Sequence, residues 1–287
     1  MQQNCRSRAK HATDWFLPGN LSILPGPVAG SWIFYRCSKI GCRDDENTLT
    51  FQIVPYNQGV KHEVYMLLVA VATENEITPL GQFLAAADQV EALVTGMGPV
   101  ATAASLTNYL ALHGAGIDGV LNIGVAGAYI DSGLAMLDIC LAQQEFLGDF
   151  GICMQEGIED FDPGLEKPGT PLVFINNLVD RFETILHDQN IAFKPVNFVT
   201  VNCCTGTTER GRFLRDKFAA GCENMEGAAV AMVCRNFNIP CVELRCVSNM
   251  VEDRDPANWK LAEAIEKICL VAEVVLQKYI QGGFGRI

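Results

Sequence analysis

"GVLNIGVAGAY", residues 119 to 129, is the stretch on which the fold turns. Its opening residues, 119–124, are apolar apart from Asn122 and do not alternate, the pattern of a strand covered on both faces. The glycines that follow read as a turn at the strand's carboxyl end, where the backbone can approach a ligand or pack tightly on a helix. Five more apolar runs of similar length lie at 67–72, 90–95, 138–141, 196–201 and 241–247. Between them fall helix-period segments at 99–113, 176–189, 208–217, 225–238 and 257–280. Strands alternating with helices predict a largely parallel sheet with helices on both faces.

This alternation begins at Met66, so one α/β domain is expected over residues 66–282. Residues 1–65 are rich in Pro, Gly, Asn and Arg and read as a poorly ordered extension. Of the 287 residues, 49% are hydrophobic and 19% charged, a globular balance. A net charge of -12 argues against nucleic acid or an anionic membrane as partner. No apolar run is long enough to span a bilayer, and prolines and glycines break up the N-terminus, so a cytoplasmic location is expected. The 12 cysteines are mostly scattered through apolar segments and the four histidines lie far apart. Reduced thiols and no metal follow from that spacing.

In parallel sheets, ligands bind beyond the carboxyl ends of the strands. After the first strand comes "ATENEITP", whose Glu74 and Glu76 are either a general base or a solvated acidic loop. After the third come Val125 and Gly127; no spaced dinucleotide or P-loop glycine pattern accompanies them. After the sixth comes Asn249, a donor and acceptor for a planar ligand or else a turn residue. Glu226, in "ENMEGAAVAMVC", has no Lys or Arg three or four places away, and the Ala and Met behind it imply burial. A buried carboxylate needs a partner; an exposed one at a helix start needs only the dipole. These features alone support a small-molecule enzyme of the α/β class.

Together, "ATENEI", "NIGVAGAY", "ENMEGAAVAMVC" and "LRCVSN" resemble the nucleoside phosphorylase and nucleosidase superfamily, over roughly residues 66 to 280. "VNCCTGTTERG", "FLGDFGICMQEG" and "VSNMVEDRDPANWKLAEAI" are similar to its futalosine hydrolase branch. The resemblance implies a three-layer αβα sandwich, a homodimer or higher oligomer, a nucleoside substrate and no cofactor. It implies that Glu76 activates water, that Glu226 accepts the ribose hydroxyls with Met225 against the sugar, and that Cys204 and Thr205 meet the base through their backbone. Arg245 supports the site or forms an ordinary ion pair. Arg254, with Trp259 beside it, is the candidate for a carboxylate arm of the substrate or else a surface pair.

Two departures refine that picture. Val125 stands where phosphorylases and methylthioadenosine nucleosidases carry Ser or Thr, and Valine offers phosphate no hydroxyl, so water is favoured as nucleophile. Asn249 stands where the methylthioadenosine/S-adenosylhomocysteine nucleosidases carry an aspartic acid. Its amide cannot protonate adenine but can donate to a 6-oxopurine, so hypoxanthine is the expected leaving group. A methylthioadenosine/S-adenosylhomocysteine or other purine nucleosidase is the competing enzyme. A non-catalytic nucleoside-binding module is disfavoured by Glu76.

A chain started at Met66 is therefore expected to keep its turnover and melting temperature nearly unchanged. An insoluble or inactive product would assign the preceding residues a structural role.

Overall fold

The computed structural model describes residues 66–154, 157–162 and 171–282, with the backbone of two further strands. Those strands, Leu21–Pro25 (β1) and Trp32–Arg36 (β2), pair antiparallel within a separate unit, Met1–Lys61. The rest of the expected extension lies outside the described residues.

The second unit alternates as the sequence predicts. Strands Leu67–Val71 (β3), Val90–Val94 (β4), Gly119–Tyr129 (β5), Ile139–Leu147 (β6), Ile152–Met154 (β7), Gly157–Glu159 (β8), Leu172–Val173 (β9), Lys194–Thr200 (β10), Ala220–Asn224 (β11) and Cys241–Val251 (β12) follow in chain order. Helices Glu74–Ile77 (α1), Gly81–Ala86 (α2), Pro99–His113 (α3), Asn177–Asp188 (α4), Thr208–Phe218 (α5), Gly227–Phe237 (α6) and Leu261–Gln281 (α7) lie between and after them. The main sheet runs β4-β3-β5-β12-β6-β10-β11, mostly parallel, with β9 added on β6 and β7–β8 a hairpin apart. The architecture is a three-layer αβα sandwich.

Burial explains the apolar runs. Every residue of β3 is buried, and α7 turns Ile268, Ala272, Val275 and Leu276 onto β5 and β12. Helix α6 lies on β6, β10 and β12, and α3 packs against α6. Its run of Ala lets the α6 backbone approach the sheet closely, at the cost of little side-chain entropy.

Four departures from the sequence reading all bear on the site. The glycine stretch after residue 124 is not a turn: β5 continues to Tyr129, because β11 pairs with it at Cys222↔Ala128 and Glu223↔Gly127. Strand β11, "AGCEN", has poor strand composition and is held by partners on both sides, β10 parallel and β5 antiparallel. Its pairing closes β5, β12, β6, β10 and β11 into a ring. The expected turn at Glu74 and Glu76 is instead the single helical turn α1, with Thr73 at its N-cap.

Strand β12 also runs past its expected end, to Val251. Its register on β5 shifts between Val247↔Ala126 and Asn249↔Gly127, so Ser248 is the extra residue of a bulge. Bulges re-aim side chains beside sites, and this one brings both Ser248 and Asn249 to the cavity described next.

Candidate active site

A cavity of about 310 Å³ opens at the carboxyl ends of β3, β5 and β12, beside the loop after β10. Glu76, Val125, Gly127, Cys204, Thr205, Met225, Glu226, Arg245, Asn249 and Arg254 all line it. The fold thus brings these candidate site residues of the sequence reading to one place, without Glu74.

Glu76 and Glu74 part company. Glu74 is exposed, whereas Glu76 is buried in the cavity wall. Thr73 donates twice to Glu76 Oε2, from its backbone N at 3.0 Å and its hydroxyl at 2.9 Å. The Val125 N–H reaches Oε1 at 3.4 Å. Fixing one oxygen while the other stays weakly engaged suits a carboxylate that is to take a proton from a ligand.

Glu226 is 5% exposed and sits at the N-cap of α6 without capping it through its side chain. Its partners come from far along the chain. Oε1 accepts the Gly98 N–H at 3.0 Å, and Oε2 accepts from Arg245 Nη1 at 3.3 Å. Gly98 has φ +88°, a left-handed conformation that L side chains rarely adopt. One bond per oxygen leaves Glu226 lone pairs for a ligand.

Arg245 is fully buried and also donates from Nε to Glu243 Oε1 at 2.8 Å. Burial works against its charge, but the carboxylates of Glu243, Glu226 and Glu76 outweigh burial and hold its pKa above the ordinary value. Gly124 makes room for this contact. A Cβ there would lie 2.5 Å from Arg245 Nη1 and 2.8 Å from Glu76 Oε1.

Behind Glu226 lies a second polar layer. Asn224 Oδ1 accepts the Glu226 and Gly227 N–H groups at 2.9 and 2.7 Å, and its amide donates to Glu145 Oε1. Thr200 donates its hydroxyl to Glu145 Oε2 at 2.9 Å and accepts from the Ala228 N–H at 2.8 Å. Glu145 and Glu243 meet at Gly227, where a side chain would collide with both. Burial, and then the neighbouring Glu243 carboxylate, push the Glu145 pKa well above its ordinary value. Burial also raises that of Glu243, while the Arg245 guanidinium pulls it back. Both shifts run toward the protonated, uncharged form of the carboxyl.

At the other end of the cavity, Ser248 donates to Asn249 Oδ1 at 2.9 Å, and Asn249 Nδ2 makes a 3.3 Å bond to the Met250 carbonyl. This orientation keeps the second Nδ2 hydrogen available. Thr205 donates both its N–H (2.8 Å) and its hydroxyl (2.6 Å) to Glu223. Its N–H is thus engaged by Glu223. Burial raises the Glu223 pKa, and the Thr205 bonds oppose the rise. Cys204 Sγ lies 3.2 Å from Met225 Sδ. Arg254 stacks over Trp259, 4.6 Å from the ring centre, and its N–H donates to the Gly206 carbonyl at 3.2 Å. The Thr208 N–H donates to Asp253 at 3.0 Å, so the loops after β10 and β12 are latched together.

The sequence model of the phosphorylase superfamily matches residues 75–280. The chain belongs to that superfamily. A futalosine hydrolase of Thermus thermophilus is 29% identical to this superfamily member over 194 residues, 68% of this chain and 83% of that one. An aminodeoxyfutalosine nucleosidase of Helicobacter pylori is 30% identical over 156 residues, 53% of this chain and 64% of that one. These relatives are N-glycosyl hydrolases by name. The structure of a Helicobacter pylori futalosine hydrolase mutant shares the fold, with TM-score 0.66 at 21% identity over 75% of this chain and 100% of that one.

In this phosphorylase-superfamily chain, Glu145, Glu223 and Glu243 escape the sequence reading. "CVELRCV" did carry a signal: Glu243 and Arg245, two apart on one strand face, are charges in an otherwise apolar strand. Glu145 gives none, since "AQQEFL" reads as a solvated strand end.

The raised pKa of Glu145 has a measurable consequence. In the unfolded chain Glu145 ionises near its ordinary pKa of 4.5, while the folded chain keeps the proton to a higher pH. Between those values the unfolded state binds fewer protons, so this group makes stability fall as pH rises, by up to about 1.4 kcal/mol per unit. Glu145→Gln mimics the protonated acid and removes that dependence. Melting temperature between about pH 5 and pH 8 should fall less steeply in the variant than in the parent; equal slopes would mean that Glu145 is ionised in the fold.

Proposed function

We propose that this chain is a purine nucleosidase that hydrolyses the N-glycosidic bond of futalosine, releasing hypoxanthine and dehypoxanthinylfutalosine in menaquinone biosynthesis. The observation that carries the reading is that Glu76 and Glu226 face one cavity, each with one partner set from the protein and spare lone pairs. Two buried carboxylates around one ligand can divide the work: one takes a proton from water and the other holds a diol.

In this reading the ribose hydroxyls donate to Glu226, whose position is set by Arg245 and Gly98. Two charge-assisted bonds are worth roughly twice neutral ones. Met225 supplies the apolar side of the sugar. Glu76 removes a proton from the attacking water as an oxocarbenium-like ribose forms. As the bond breaks, its electron pair passes to the departing purine, the Asn249 amide, oriented by Ser248, donates a hydrogen bond to it, and the purine anion takes its proton from water. Val125 fits water rather than phosphate as nucleophile. The Arg254–Trp259 stack on the cavity wall fits a benzoate arm, since guanidinium recognises carboxylate and the indole offers a face for the ring. A cytoplasmic homodimer or larger oligomer completes the proposal.

The relatives named futalosine hydrolase support this substrate over methylthioadenosine, as does Asn249. An assay of free base released from futalosine, aminodeoxyfutalosine, inosine and methylthioadenosine tests it, with futalosine the expected best substrate. No release from any of them would leave the binding-module reading standing.

Glu76→Gln should keep the fold and substrate binding but lower kcat by on the order of 10²–10⁴, the worth of a positioned base. Turnover within threefold of the parent would exclude Glu76 as that base.

Asn249→Asp would present an oxygen to the 6-oxo group in place of an N–H. A mismatched buried polar pair costs about 1–3 kcal/mol, so kcat/KM on futalosine should fall at least about tenfold and on aminodeoxyfutalosine less. A constant ratio between the two substrates would show that Asn249 does not read the base.

A further inference from the structure

Glu223 lines the same cavity, and the reaction above gives it no task. It is 6% exposed, near the end of β11, where it pairs with Gly127 of β5. Thr205 anchors both of its oxygens, the N–H on Oε1 at 2.8 Å and the hydroxyl on Oε2 at 2.6 Å. The Tyr129 hydroxyl and the Arg210 guanidinium also lie near enough to favour its charge. With two acceptor positions on each oxygen, Glu223 keeps capacity for one more donor from the cavity.

Its neighbour in the cavity wall is Asn249. A Cβ on Gly127 would lie 3.1 Å from Asn249 Nδ2 and 3.6 Å from Glu223 Cγ. Glycine at 127 therefore lets an amide donor and a carboxylate acceptor sit side by side over one strand position. The bulge at Ser248 brings Asn249 there, and the closure of β11 onto β5 brings Glu223. Ser248 holds the amide with its oxygen turned to the hydroxyl.

We infer that Glu223 is a specificity residue that accepts the N1–H of a 6-oxopurine while Asn249 donates to the adjacent 6-oxo group. The inference rests on reading the cavity as a purine nucleosidase site. A 6-oxopurine shows an acceptor at position 6 and a donor at N1, side by side. The protein shows a donor and an acceptor in the complementary order. A 6-aminopurine reverses both: its N1 lone pair meets the Glu223 carboxylate, and its amino group meets the Asn249 amide hydrogen. Sites built to bond a ligand N–H or O–H discriminate strongly because the mismatch strands buried groups of the protein. Two mismatches in one edge make Glu223 as important as Asn249 for choosing between the bases.

The test measures binding of free hypoxanthine and free adenine to the full chain by calorimetry, with no dependence on turnover. The parent should bind hypoxanthine at least about tenfold more tightly than adenine. Glu223→Gln, which offers both a donor and an acceptor, should lower that ratio at least about tenfold, chiefly by improving adenine or weakening hypoxanthine at constant melting temperature. Thr205→Val is the second variant; it keeps the carboxylate, frees one oxygen and should lower the ratio at least about threefold. A purely structural Glu223 would weaken both bases together and leave the ratio alone. A parent that binds both bases equally, or a ratio that stays within twofold in either folded variant, overturns the inference. Selective hypoxanthine binding by a chain that hydrolyses no nucleoside would instead sink the proposed reaction and leave this inference standing.

Discussion

The buried guanidinium of Arg245 is the constraint from which the rest of the site follows. A fully buried charge must be paired, and removing one partner of such a pair costs about 3–5 kcal/mol. Arg245 donates to Glu243 on its own strand and to Glu226 at the start of α6. These two bonds tie the helix to the sheet at the point where a ligand would be held. Glu243 in turn meets Glu145 at Gly227, and the bonds of Glu145 run through Asn224 and Thr200 back to the first turn of α6. The orientation of Glu226 is thus set from both sides, by Gly98 and Arg245 in front and by Asn224 behind.

Such a network tolerates little change of shape. Gly227 lies where Glu145 and Glu243 meet, and Gly124 lies under Arg245 and Glu76. At both places a methyl group would occupy space taken by charged side chains. The glycines of "NIGVAGAY" and "MEGAA" thus serve close approach of protein to protein at least as much as backbone freedom, although Gly98 is needed for its positive φ.

The ring of strands supplies the second half of the site. Parallel order alone would leave β11 at the edge of the sheet; its antiparallel pairing with β5 carries Glu223 across to Gly127 and Asn249. The bulge at Ser248 shifts β12 by one residue at the same level. A two-residue periodicity would put Arg245, Val247 and Asn249 on one face, and the bulge lets Ser248 and Asn249 both serve the cavity while Val247 stays in the core.

Much of this was legible beforehand. The unbroken apolar runs of β3 and β5 fix strands covered on both faces, whereas the run at 90–94 is β4, an edge strand with only Val90 buried; α3 falls where its periodicity places it. Glu76, Glu226 and Asn249 stand out because they are polar groups at the ends of apolar elements, and burial there demands a partner. By itself, then, the sequence determined the alternation of strand and helix, the parallel sheet and the chemical groups available at its carboxyl ends. Only the tertiary structure decided that β11 is a strand, that β5 runs on through its glycines, and that Glu145, Glu223 and Glu243 are buried beside Arg245, Thr205 and one another. Strand β11 exists through its two neighbours, and a carboxylate's partners come from far along the chain, 79 residues for Asn224 and Glu145 and 128 for Gly98 and Glu226. Local pattern carries propensity and periodicity, whereas pairing and desolvation are properties of whatever the fold brings alongside.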